Sequence, residues 1–190
     1  MRKSSLVAAG FLCASAALAH VTPNVELVRR GDFVKQSLPG AARFFEEQLM
    51  LSGPDGAAIR KATGWTPTEE EVKIYVGRDG AGRVAGTVIF LWIASEHGPV
   101  GIGVAFDERG VILRAAVTDV GTEPLAWVRP LLIAAGMDIF ARLPADATPD
   151  AARIAPDVRG TMSRYYAKVI AEGVARAQAI ERITMRTARP

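Results

Sequence analysis

Apolar runs in the middle of the chain predict four consecutive β-strands joined by tight turns. The strands are expected at residues 72–76, 83–94, 100–106 and 111–118. Two of the connections between these strands contain the Asp and Gly residues that hairpins favour. They lie at residues 78–82 and 107–110. The pattern predicts an antiparallel meander, a scaffold that contains no catalytic group of its own.

Helical patterns flank this predicted sheet on both sides. Helices are expected at residues 24–36, at 52–63 after an N-cap at Ser52, at 125–142 with breaks at Pro130 and Gly136, and at 162–183. Residues 41–51 fit either a helix face or an amphipathic strand, and residues 143–157 predict a loop. The sequence therefore predicts an α+β fold, with an antiparallel β-meander packed against N-terminal and C-terminal helices.

The last predicted helix has two chemically different faces. Its core positions are expected to be Tyr165, Val169, Val174 and Ala177, and its solvated face Arg164, Lys168, Glu172 and Arg176. This spacing predicts that one side of the helix packs on the sheet while the charged side remains in water.

The N-terminus has the three parts of a secretory signal peptide. Arg2 and Lys3 form a basic segment, residues 6–16 are apolar, and Ala17-Leu18-Ala19 is a small-x-small cleavage site. The alternative, a membrane anchor, needs a longer apolar run than this one. The sequence thus predicts a signal peptide at 1–19 and a single domain at 20–190, located in the periplasm and not transmembrane once processed.

Composition excludes several classes of function for the processed chain. Removing Arg2 and Lys3 from the 23 basic residues leaves 21 against 20 acidic ones, a net charge of +1. No basic stripe interleaved with aromatic residues is present, so nucleic acid is not an expected partner. The single cysteine, Cys13, leaves with the signal peptide, which excludes thiol chemistry, Cys-x-x-Cys-His haem attachment and iron–sulfur ligation.

The order of several short motifs resembles the FMN-binding domain family. The motifs are Leu38-Pro39-Gly40-Ala41, Tyr75-Val76-Gly77-Arg78-Asp79-Gly80, Gly82-Arg83-Val84-Ala85-Gly86, a turn at residues 104–110, and Thr122-Glu123-Pro124. That family includes flavin-carrying subunits of sodium-pumping quinone reductases and of Rnf-type complexes, and many small exported proteins. The resemblance implies a flavin-dependent electron-transfer or flavin-holding module with a membrane or periplasmic redox partner.

The chain departs from this family at the flavin attachment motif. Members that carry flavin covalently have Ser-Gly-Ala-Thr at the start of the last helix, and its threonine forms a phosphoester with FMN. Here Arg159-Gly160-Thr161-Met162 occupies those positions, followed by Ser163. Because a thioether cannot form that ester, the resemblance implies that FMN, if held, is held without a covalent bond.

The expected cofactor-binding residues follow from that alignment. Arg159, Gly160, Thr161 and Ser163 are expected to hold the phosphate at a helix N-terminus, with Glu123 near the isoalloxazine ring. In the competing interpretation the motif has decayed, Thr161 only caps the helix, and Arg159 is a solvated charge. The function that matches this second interpretation is a non-catalytic periplasmic interaction module that keeps the fold without the cofactor.

Two further sets of residues have open interpretations. His97 is either a loop residue at a strand end or, together with His20 at the processed N-terminus, part of a copper site. The three tryptophans, Trp65, Trp92 and Trp127, are core residues unless one of them stacks on a flavin ring. No Ser/His/Asp arrangement has a recognisable spacing, so hydrolase chemistry is not supported, and no catalytic residue is assigned.

Overall fold

The computed structural model describes residues 23–67, 71–133, 140–154 and 156–185. The strands are β1 (Asn24–Glu26), β2 (Arg43–Met50), β3 (Glu71–Arg78), β4 (Val84–Ile93), β5 (Val100–Asp107) and β6 (Ile112–Gly121). The helices are α1 (Arg30–Ser37), α2 (Gly53–Thr63), α3 (Leu125–Ile133) and α4 (Thr161–Thr184), with a short 3₁₀ turn at Ala151–Arg153. The predicted signal peptide, its cleavage site and His20 lie outside the described residues.

The six strands form one antiparallel sheet in the order β1-β6-β5-β4-β3-β2. Helix α1 covers one face, where Phe33, Val34 and Leu38 pack on Val88 and Phe90. The other face carries the larger core, formed with α2, α3 and α4. The predicted α+β class and the packing of the meander by helices from both ends of the chain are therefore confirmed.

The predicted strands match β3 to β6 to within a few residues, because local turn chemistry fixes their connections. The Oδ1 atom of Asp79 accepts hydrogen bonds from the backbone N–H groups of Ala81 and Arg83, both at 2.9 Å. Asp107 closes the β5–β6 turn in the same way, since its Oδ1 accepts from Arg109 at 2.8 Å and Val111 at 2.9 Å. Such Asx turns reverse the chain without help from distant residues.

The expected helix at residues 24–36 is wrong in its first half. Asn24–Glu26 forms β1, which pairs with Asp119–Gly121 of β6, and the helix begins only at Arg30. Residues 41–51, which the pattern left undecided, contain strand β2. The expected break at Pro130 is also wrong, because α3 continues through it while Val128 and Leu131 on either side are buried in the core. Gly136 lies outside the described residues.

Helix α4 packs its predicted apolar face onto the sheet. Val169, Val174 and Ala177 are buried as expected, whereas Tyr165 is only half-buried. The solvated face is correct for Arg164, Lys168 and Glu172, which are exposed. Arg176 is different, because its side chain is only 20 % exposed and lies over the ring of Trp65.

Two glycines of the resemblance motifs form a slot for one leucine. Gly77 and Gly86 lie opposite each other on β3 and β4. A Cβ atom at Gly77 would lie 2.9 Å from the Leu38 side chain, and one at Gly86 would lie 2.6 Å from it. A Cβ at Gly86 would also run into the backbone carbonyl of Phe106. Leu38, Gly77 and Gly86, which come from three different motifs, are therefore close in space, and the contact between them is a packing contact.

Placing a methyl group in this slot should destabilise the fold. We expect Gly86→Ala to lower the free energy of unfolding by about 1–3 kcal/mol, because the Phe106 carbonyl belongs to a paired strand and cannot move away freely. Urea denaturation measures the change. The matched control is Gly80→Ala, since nothing lies within 4 Å of a Cβ at Gly80, and its effect should stay within about 0.5 kcal/mol. Equal stability of the two variants would contradict the packing role.

Among the residues that the structure describes, no helix combines the length and the apolar character needed to cross a bilayer.

Candidate functional site

The start of α4 presents an exposed group of potential phosphate donors. Arg159, Gly160 and Thr161 are all exposed, and Gly160 is the N-cap residue, with φ of 149°. No side chain caps this helix end, so Thr161 does not have the capping role of the competing interpretation. The first backbone N–H groups of a helix have no partner within the helix, and they favour an anion. This turn can therefore receive a phosphate on its backbone and on Arg159.

Ser163 points into a cavity beside this turn. Ser163 is only 8 % exposed, and it lines a cavity of about 310 Å³ between α3, α4 and residues 151–154 and 156–158. The other lining residues are mainly apolar: Leu131, Ala151, Ala152, Ile154, Pro156, Val158 and Ala167, together with Arg164 and Lys168. Within the described ranges the Ser163 hydroxyl has no hydrogen-bond partner. Ser163 thus lies at the border between this cavity and the turn that holds Arg159, because a Cβ atom at Gly160 would lie 4.0 Å from its Oγ atom.

Glu123 contacts His97, the histidine for which the sequence leaves two interpretations open. Its Oε1 lies 2.8 Å from Nδ1 of His97, and because a carboxylate only accepts, His97 donates from Nδ1. Both side chains are partly in water, so this pair contributes little to stability. The geometry orients the imidazole, and in the described part of the chain its Nε2 atom makes no hydrogen bond.

A chain of aromatic rings leads from His97 into the core. The His97 ring lies 5.0 Å from Trp127, which stacks on Tyr166 at 5.9 Å with 13° between the ring planes. Tyr166 is fully buried, and its hydroxyl lies 3.0 Å from Oγ of Ser95. Ser95 already donates its only hydrogen to the carbonyl of Gly98, so Tyr166 is the donor to Ser95.

The structure brings the predicted site residues together only in part. Arg159, Gly160 and Thr161 share one exposed turn, Ser163 lies just inside it, and Glu123 belongs to the cluster of His97, Trp127 and Tyr166. Among the described residues, no hydrogen bond or ion pair joins Glu123 to the turn at 159–161. The two groups are connected through α4 itself, because Tyr166 follows Ser163 by less than one helical turn.

Sequence reasoning missed Ser95 and Tyr166 as members of this region. The adjacent pair Tyr165-Tyr166, directly after the altered motif, is a local indication, because neighbouring helix residues point about 100° apart. The spacing assigns Tyr165 to the core, whereas Tyr166 is the buried member of the pair. The tryptophans also differ from the expectation of three core residues. Trp65 and Trp127 are half-buried, and Trp92 is 42 % exposed, with the Arg30 guanidinium 5.7 Å from its ring centre.

A metal site has no complete set of ligands in the described part of the chain. No group of three or more His, Cys, Asp and Glu side chains there could hold a metal ion. His97 and Glu123 form a pair only, and His20 lies outside the described residues. The copper interpretation therefore stays a prediction from the sequence.

Replacing Tyr166 by Phe tests the buried end of the aromatic chain. The ring that stacks on Trp127 stays, while the hydrogen bond to Ser95 is lost, so we expect the free energy of unfolding at neutral pH to fall by about 0.5–1.5 kcal/mol. Burial raises the pKa of Tyr166 above its ordinary value. The hydroxyl's contribution is therefore complete below the unfolded-state pKa of about 10 and is lost as the pH rises through the folded-state pKa.

Urea denaturation of both proteins from neutral pH to about pH 11 measures these effects around the ordinary tyrosine pKa. Tyr75, whose pKa burial also raises, is present in both proteins, so the difference between the two curves isolates Tyr166. Identical losses of stability at alkaline pH would contradict a buried, hydrogen-bonded Tyr166 hydroxyl.

Comparisons of the chain with protein-family models, with curated proteins and with solved structures found no match. The similarity to the FMN-binding domain family therefore rests on the order of the sequence motifs. The geometry at the start of α4 is a separate ground on which a function can be proposed.

Proposed function

We propose that this chain is a periplasmic FMN-binding-domain protein that holds flavin non-covalently and acts as an electron-transfer module. The observation that carries the proposal is the uncapped start of α4 beside an apolar cavity. An exposed arginine, Arg159, precedes Gly160 at the helix N-terminus, and the cavity lined by Ser163 adjoins the same turn. This combination provides an anion-binding end and an apolar volume within one turn of helix.

The residues present fit the chemistry of a flavin phosphate. Arg159 offers a planar fork of donors, the backbone N–H groups of the first turn add further donors, and Thr161 contributes an exposed hydroxyl. Gly160 at φ 149° has a backbone conformation that side chains rarely adopt, so the approach to the helix end stays open. The nearby cavity has the size of a small ligand pocket, at about 310 Å³.

In this proposal the protein supplies position and electrostatics. Bound flavin would supply the redox chemistry, and the chain's own residues would fix its phosphate and its surroundings. Glu123 and His97 would form a polar rim, and Trp127 an aromatic wall behind it. The expected partner is a membrane or periplasmic redox protein, which would approach the exposed rim.

A second function, a cofactor-free interaction module, is favoured by one separate observation. Strand β2 is an edge of the sheet, and two of its large apolar side chains, Phe45 and Met50, are 44 % and 56 % exposed. An edge strand offers unpaired backbone groups to an added strand. The flavin titration described next separates this function from the first.

Flavin titration of the processed chain tests the phosphate site. FMN should bind, and riboflavin, which lacks the phosphate, should bind far more weakly. A charge-assisted contact contributes about 1.5–3 kcal/mol, so Arg159→Ala should weaken FMN binding roughly ten- to hundred-fold and leave riboflavin nearly unchanged. Flavin fluorescence during the titration provides both dissociation constants.

The matched control for this experiment is Arg109→Ala. Arg109 is an exposed arginine in the β5–β6 turn, so the variant makes the same change in net charge away from α4. It should leave the affinity for FMN unchanged. If neither flavin binds at micromolar concentration, the cofactor-free interaction module is the better assignment; if Arg109→Ala weakens FMN as much as Arg159→Ala, the attraction is one of net charge alone.

Attachment chemistry gives a separate prediction. Because Met162 occupies the acceptor position, the protein should carry no covalent FMN even when it is co-expressed with a flavin transferase. Fluorescence of a denaturing gel should be blank, and Met162→Thr, which restores a hydroxyl, is the positive control. A fluorescent band from the unmodified chain that disappears in Thr161→Ala or Ser163→Ala would identify a neighbouring hydroxyl as the acceptor instead.

A further inference from the structure

The far half of α4 borders a second and larger cavity. It has a volume of about 460 Å³ and lies between the end of α2, residues 145–149 and the α4 residues from Glu172 onward. Its charged lining residues are Asp146, Glu172, Arg176 and Arg182. Arg176 follows Thr161 by 15 positions on one helix, a separation of about 22 Å, so this cavity is distinct from the proposed flavin site.

Arg176 is the unusual group in this cavity. Its side chain is 20 % exposed, and its guanidinium lies 5.2 Å from the centre of the Trp65 ring. Its ion-pair partner, Glu172, is 3.6 Å away, beyond the length of a normal hydrogen bond, and is itself mostly in water. Burial lowers the pKa of Arg176, and the nearby Glu172 offsets this only in part.

The donors of Arg176 have few acceptors in the protein. A guanidinium carries five N–H donors and stays charged in proteins. Within the part of the chain that the structure describes, none of them makes a hydrogen bond. A half-buried cation without hydrogen bonds favours an incoming anion, and its planar fork matches a carboxylate in a bidentate arrangement.

The walls of the cavity are held in place before any ligand arrives. Gly64 ends α2 in a left-handed conformation, with φ of 71°, and the backbone N–H of Trp65 donates to Oγ1 of Thr63 at 3.2 Å. On the opposite side, Nε2 of Gln178 donates to the carbonyl of Pro144 at 3.0 Å and fixes the start of the 145–149 segment against α4. These two contacts position Trp65 on one side of Arg176 and the 145–149 segment on the other.

We propose that this cavity binds a small organic acid, with its carboxylate on Arg176 and its apolar body against Trp65 and the small side chains of Ala62, Ala175 and Ala179. A monoanion fits better than a phosphate dianion, because Asp146 and Glu172 balance the two arginines of the lining. The site would be independent of flavin, since none of its residues lies in the first turns of α4.

Benzoate, a flat carboxylate, is the probe for this site, and benzamide is its neutral counterpart of the same shape. The readout is the indole N–H resonance of Trp65 in the full processed chain, assigned with Trp65→Phe. We expect saturable shifts with benzoate at a dissociation constant of about 1 mM or below, and at least tenfold weaker binding of benzamide. The resonances of Trp92 and Trp127 should not move.

Variants then test the role of Arg176 directly. Arg176→Gln should weaken benzoate binding at least about tenfold, and Arg109→Gln, which makes the same change far from the cavity, should not affect it. The proposal is overturned if benzoate does not saturate the Trp65 shift by about 10 mM. It is also overturned if benzamide binds equally well or if only Trp92 or Trp127 responds. The comparison of the two probes uses the unmodified chain, so it holds even if Arg176→Gln does not fold.

Discussion

The close approach of α4 to the sheet is the contact on which both candidate sites depend. Gly173 makes it possible, because a Cβ atom there would overlap the Ile102 side chain and lie 3.0 Å from Ile93. Through this contact the 24-residue helix α4 packs across the larger core. One end of the helix then presents Arg159 and Gly160, and its far half presents Arg176 to Trp65. A shift of the helix on the sheet would displace both groups together.

The parts of the fold that the sequence predicts are those fixed by neighbouring residues. The meander from β3 to β6 is predictable because Asp79 and Asp107 close its turns through hydrogen bonds to residues two and four positions away. Strand β1 is not predictable in this way, because only three residues form it and their partners on β6 are far along the chain. Strand β2 is difficult for a different reason: most of its side chains are exposed, so no alternation of burial marks it.

The candidate sites also combine features that the local sequence predicts with contacts that it does not predict. The helix start near Gly160 follows from local sequence. The exposure of Arg159 is compatible with both of its interpretations, as a phosphate-binding residue and as a solvated charge. The contact of Glu123 with His97 and the stack of Trp127 on Tyr166 join residues that are far apart in the sequence, so no spacing reveals them. Arg176 has the spacing of a solvated residue, yet its guanidinium lies over Trp65, just beyond the end of α2, and its side chain is half-buried. Periodicity describes one helix; it contains no information about what covers that helix.

The slot formed by Gly77 and Gly86 has a consequence for how relatives of this chain could diverge. Both glycines lie in motifs that carry the family resemblance, yet what they accommodate is the Leu38 side chain. Selection for folding alone would preserve both glycines, whether or not the protein binds flavin. A change in ligand binding would instead alter exposed residues such as Arg159 and Thr161, where a substitution has little effect on the stability of the fold. A chain with both glycines intact would therefore keep this packing whether or not it binds flavin.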